Sequence, residues 1–232
     1  MQLATQHQTR FRLLGQKEDL DTSITHFTEA ILFHSCFSDD SCFRLMSHGV
    51  VTILFLLAQS LVLRYAVFRK PEDVISSVKY FRYLRVNFYP LELFRIPRDQ
   101  FTSTFVEALA HHAILRTGDE TRDMEEMACL IREFGTTDFS KGRHSVAVNA
   151  FSTAIQKIHL WFSPRQPPEQ AIEVLRDVIL DNPDLEQAFV ALVLCLTNRF
   201  CMTHVINDCE EAISIVDKFF ASHPLGDNLT PT

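Results

Sequence analysis

The chain has 232 residues, 47% of them hydrophobic and 22% charged, which is long enough for one large domain or a continuous array with a buried core. Six glycines and nine prolines exclude a collagen-like, disordered or turn-dense all-β chain. With 22 Lys and Arg against 29 Asp and Glu, a net charge of −7, the sequence lacks the concentrated basic face that broad nucleic-acid binding needs.

Met1 to Gln8 carry neither the basic nor the apolar region of a secretory signal, so the cytoplasm is the expected compartment. Apolar residues at helical spacing then predict pairs of helices. The first pair is Leu3–Leu14 with Asp19–Phe33, and the second is Met46–Phe68 with Pro71–Val86. Val50 to Phe68 imitates a membrane span, but its uninterrupted apolar part, Val50 to Ala58, falls short of the ~20 residues a span needs. Gln59, Ser60 and Arg64 interrupt the rest, so this helix is expected in a protein core and no membrane contact is expected. The remaining pairs are Phe101–Leu115 with Arg122–Phe134, Val146–Phe162 with Glu169–Leu180, and Leu185–Phe200 with Asn207–Ser222. Pro71 and Pro168 stand at helix starts, where a missing N–H costs little, and Gly15, Gly118 and Gly135 follow apolar runs as C-terminal caps do. No strand–helix alternation or two-residue hairpin signal is present, so the expected class is all-α.

The pairs share a register. Arg10-Phe11, Arg64-Tyr65 and Arg199-Phe200 are each followed at the same spacing by an acid: Asp19, Asp73 and Asp208. Apolar residues then recur at Leu20, Ile24, Phe27 and Ala30; at Val74, Val78, Phe81 and Leu84; and at Cys209, Ile213, Val216 and Phe219. Weaker copies follow Met124 and Ala171, with Trp161-Phe162 in place of the arginine–aromatic pair. Anchors at 20, 74, 124, 171 and 209 are separated by 54, 50, 47 and 38 residues, as in a degenerate array of helical hairpins with inserted loops.

The string carried by Leu3, Ala4, Arg10, Phe11, Glu18, Asp19, Leu20, Asp21, Ile24 and Ala30 resembles the tetratricopeptide-type repeats of fungal multi-repeat proteins whose long members end in a caspase-like CHAT domain. A second copy keeps Leu57, Ala58, Arg64, Tyr65, Glu72, Asp73, Val74, Val78 and Leu84. The resemblance implies an α-solenoid of about five degenerate hairpins in a right-handed superhelix, over residues 1–225. Its repeats would be 1–34, 45–87, 101–135, 146–181 and 185–222, ahead of a tail at 223–232. It implies protein–protein recognition. The chain leaves no room for the catalytic domain after its last helix and begins inside a repeat, so self-association through uncapped ends, or descent from a longer CHAT-type protein, are the alternative expectations.

Chemistry is expected to be absent. Ser47-His48-Gly49 and Cys195 superficially match a caspase-type pair, but both fall on helices without an active-site loop. No Cys-x-x-Cys occurs among Cys36, Cys42, Cys129, Cys195, Cys201 and Cys209, which are expected reduced, although Cys36 and Cys42 flank an acidic turn across which oxidation could join them. His111 and His112 point about 100° apart on a helix, unsuited to one metal; only Glu107 could join His111, and both histidines are expected at a groove or surface. No phosphate-binding glycine loop is present, so no cofactor is expected. Arg10, Arg64 and Arg199 have two readings: an ion pair inside each hairpin with the following acid, favoured because the residue recurs with the repeat, or a row of guanidinium groups clamping a partner. The candidate partner-groove residues are therefore Arg10, Arg64, His111, His112 and Arg199, facing a protein or peptide partner. The aromatic set Tyr80, Phe81, Tyr83, Phe88 and Tyr89 is expected mostly in the core.

Overall fold

The computed structural model describes residues 2–36, 43–88, 96–115, 118–135, 147–156, 169–181 and 185–222. Among these the chain is all-α, with ten helices and no strands. In chain order they are α1 (Gln2–Leu14), α2 (Lys17–Cys36), α3 (Phe43–Phe68), α4 (Pro71–Phe88), α5 (Arg98–Ile114), α6 (Glu120–Gly135), α7 (147–156), α8 (Glu169–Asp181), α9 (Glu186–Thr203) and α10 (Ile206–Ser222). The chain divides into two compact units, Met1–Leu115 and Arg116–Thr232, so the hairpin expected at 101–135 has one helix in each. Trp161-Phe162, Pro168, Cys42, Tyr89 and the 223–232 tail lie outside the described residues.

Local signals explain several helix starts. Acidic side chains occupy the first turns of α2 (Glu18, Asp19), α4 (Glu72, Asp73), α6 (Glu120, Asp123) and α10 (Asp208), where the exposed N–H groups and helix dipole favour negative charge. Pro71 opens α4, where its fixed φ suits the helix.

In the first unit α1 pairs with α2 and α3 with α4, while α3 also packs against α2 and α5. Ala4, Phe11, Leu20, Ile24 and Phe27 of the first pair form one buried cluster with Ile53, Leu57 and Leu61 of α3. A second cluster is aromatic: the Phe81 ring lies 5.2 Å from Phe105, 5.5 Å from Phe101 and 6.2 Å from Phe55. Phe81 is thus core, as its spacing predicts, while Tyr83 is exposed. Gly49–Phe68 is long and apolar enough to cross a membrane by composition, with mean hydropathy 2.0, yet 61% of its most apolar 18-residue window is buried within the protein. It is the helix that α2, α4 and α5 surround.

In the second unit α9 and α10 pair, α8 packs on α9, and α6 on α8. Arg132 donates to Glu173 at 2.8 Å between α6 and α8, and Arg176 holds both carboxylate oxygens of Glu211 between α8 and α10. Ala188, Ala191, Leu192, Cys195 and Leu196 of α9 are buried.

Candidate functional site

The arginine of each strong repeat sits near the end of its first helix, and the chain then reverses through a turn with one fixed geometry. Gly15, Arg69 and His204 all adopt left-handed backbone, with φ of 70°, 56° and 57°. Their N–H groups donate to the carbonyls of Phe11, Tyr65 and Phe200 at 2.7, 2.8 and 2.8 Å. This is the left-handed helix cap, and glycine supplies it without strain only in the first copy. In the other two the side chain folds back on the aromatic one turn earlier. The Arg69 guanidinium is 5.6 Å from the Tyr65 ring, and His204 lies edge-on to Phe200 at 6.4 Å.

That reversal brings each arginine onto the acid nine positions later. Arg10 Nε donates to Asp19 Oδ2 at 2.7 Å, and Nη2 reaches Oδ1 at 2.6 Å. Arg64 holds Asp73 at 2.8 and 2.7 Å, and Arg199 holds Asp208 at 2.8 and 2.6 Å, through the same two edges. The bidentate fork fixes each carboxylate at a helix start, so the expected ion pair inside the hairpin is what these residues form. The Arg10 hydrogen bond, helped by His7 Nδ1 at 3.2 Å, keeps the Asp19 carboxyl below the usual carboxylate range despite burial. Donating hydrogen bonds to the Asp73 and Asp208 carboxylates strengthens the cationic form of Arg64 and Arg199.

A second contact, not visible in the sequence, ties hairpin to hairpin. Arg64 Nη1 donates to Asp21 Oδ1 of the preceding α2 at 2.7 Å, and Arg199 Nη1 to Glu169 of the preceding α8. Arg10 has no such second acid among the described residues, and its side chain is 56% exposed against 17% and 14% for Arg64 and Arg199. The same contrast runs along the helix. Leu3 is 54% exposed where its counterpart Leu57 in α3 is 2%, and Gln6 is exposed where Ser60 is buried. An open groove of about 410 Å³ follows this face of α1, lined by Gln2, Thr5, Gln6, Thr9, Arg10 and Leu13.

The other predicted site residues lie elsewhere. His111 Nε2 is 3.9 Å from Glu107 Oε1, the one pairing its spacing allowed, and its ring is 5.0 Å from that of Tyr65. Burial raises the Glu107 carboxyl. His112, expected at a groove or surface, is instead 5% exposed: the 100° step from His111 turns it inward beside Leu109 and Ala113. Arg64 and Arg199 spend their donors on carboxylates, which leaves Arg10 as the exposed arginine of the three. Ser47-His48-Gly49 lies on the α3 backbone, and burial pushes the Cys195 thiol up to about 12, which disfavours the thiolate a nucleophile needs. Among the described residues no group of three or more His, Cys, Asp or Glu could hold a metal.

Comparison with protein-family models, with curated proteins and with solved structures returned no match.

Proposed function

We propose that this chain is a non-catalytic protein-interaction module of the cytoplasm, a right-handed α-solenoid of tetratricopeptide-like hairpins that binds a helix or segment of a partner chain. The observation that carries the reading is the open face of α1. Leu3, Gln6 and Arg10 stand where Leu57, Ser60 and Arg64 of α3 meet the preceding hairpin, so α1 presents the counterpart of a surface already used once inside the chain. Repeat arrays recognise partners through such repeated surfaces. The arginine pairs support the same view, since they recur with the hairpin and hold it together.

The test is co-purification of tagged chain from its own cells, beside a Leu13→Glu variant altered at an exposed side chain on the α1 groove. A protein recovered stoichiometrically with the original chain and lost with the variant is the expected result. Equal recovery with both, or no stoichiometric partner, overturns the reading.

A further inference from the structure

We infer that the partner of the α1 face is α10 of a second copy of this chain, docked in the register that α2 uses on α3. The inference rests on the interaction reading above and names its partner. Its source is a match between two surfaces that the hairpin register makes comparable position by position.

Asp19 and Asp208 place α2 and α10 in one frame. In α2, Asp21 takes the Arg64 hydrogen bond, and Ile24 and Phe27 enter, with Leu20, the buried cluster shared with α3, with Ile31 packed against it. The corresponding positions of α10 are Glu210, Ile213, Val216 and Phe220. All four are exposed; Ile213 is 57% exposed where Ile24 is 8%. Thus α10 carries an acid followed by an apolar stripe, the pattern with which α2 covers α3, and nothing among the described residues covers it.

The receiving half is α1. Leu3 replaces Leu57, which is buried in the cluster α3 shares with the preceding hairpin, and Arg10 offers the Nη1 edge that donates to the preceding acid in both other strong hairpins. Glu210 on α10 stands where Asp21 stands on α2, one methylene longer and of the right sign for Arg10. Ile213, Val216 and Phe220 would then lie along α1 as Ile24, Phe27 and Ile31 lie along α3. The two faces are different surfaces of the molecule, so the contact is heterologous, and each added copy presents the same pair of faces again.

The purified full chain should show a mass in sedimentation that rises above one chain across the micromolar range. Leu3→Glu and Glu210→Lys, both at exposed positions, should each reduce it to a monomer while leaving the circular dichroism and urea midpoint unchanged. An equimolar mixture of the two variants should recover a complex of two chains and no larger, because one supplies an intact α10 and the other an intact α1. A monomeric original chain, variants that associate like it, or a mixture that stays monomeric overturns the inference. If the chain is monomeric yet still recovers a different protein that Leu13→Glu loses, the second copy is refuted and the interaction reading stands; loss of both refutes both.

Discussion

Replacing Arg64 by methionine keeps much of the aliphatic stem and removes the charge that holds two helices to a third. Asp73 then sits with its side chain 6% exposed and both oxygens stripped of their donors, while Asp21 loses its cross-hairpin partner. Breaking a fully buried pair from one side costs roughly 3–5 kcal/mol, mostly from the charge left behind. Water reaches Arg64, and Asp21 is more than a third exposed, so the low end applies, about 3 kcal/mol or a urea midpoint lowered by roughly 1–2 M. If the stranded carboxylate is the source, adding Asp73→Asn to Arg64→Met should recover about half of that, since a neutral amide is cheaper to leave buried. Arg10→Met should move the midpoint less, because its guanidinium is exposed and has no second acid among the described residues. Urea unfolding followed by far-ultraviolet circular dichroism reads all four proteins. A double variant no better than Arg64→Met, or equal losses for Arg64→Met and Arg10→Met, would refute the reasoning.

Four further outcomes follow from the hairpins and the core. Gly15→Ala should cost about 1 kcal/mol in urea unfolding from backbone strain alone, because a Cβ there meets nothing within 4 Å, whereas Arg69→Gly should gain a few tenths as relief of its φ of 56° outweighs the lost Tyr65 contact. Ser23→Ala should stabilise by about 1 kcal/mol, since the buried Ser23 hydroxyl has no partner among the described residues, while Ser77→Ala should destabilise by losing the 2.9 Å bond to the Ala58 carbonyl. The Asp19 carboxyl is lowered in the folded chain, so its contribution is fully present above the unfolded aspartate range and disappears as pH falls through the folded value. Arg10→Gln should flatten that acid limb in pH-dependent melts. Iodoacetamide at mildly alkaline pH should label exposed Cys201 in the folded chain and reach Cys195 only after denaturation, as mass mapping would show.

The helices were legible because apolar periodicity and first-turn acids are local signals. The Arg64–Asp73 spacing also showed its pair, since two residues on either side of a tight reversal can only meet. The Arg64–Asp21 contact was hidden because it depends on how one hairpin leans on the next, which no spacing within a hairpin encodes. The left-handed caps at Arg69 and His204 were hidden for another reason: glycine announces that conformation, and these two positions reach it through ring contacts instead. His112 was misplaced because the helix that carries it is buried on nearly all sides, so neighbouring polarity said nothing about which way it turns. The chemistry of the open α1 face was hidden as well, because Leu3 and Leu57 hold the same place in the repeat and differ only in exposure, 54% against 2%.

The arginine contacts also set an order of assembly in time. Each hairpin lock closes over nine residues, whereas Arg64 reaches Asp21 across 43 and Gln8 reaches Ser60 across 52. Closing the 43-residue loop costs about 1.4 kcal/mol more chain entropy than closing the nine-residue one, from the logarithmic growth of loop closure. On chain entropy alone the three locks are therefore expected to close before the struts between hairpins. A chain emerging from the ribosome can set its first lock once the residues through α2 are free, well before α3 exists to be covered.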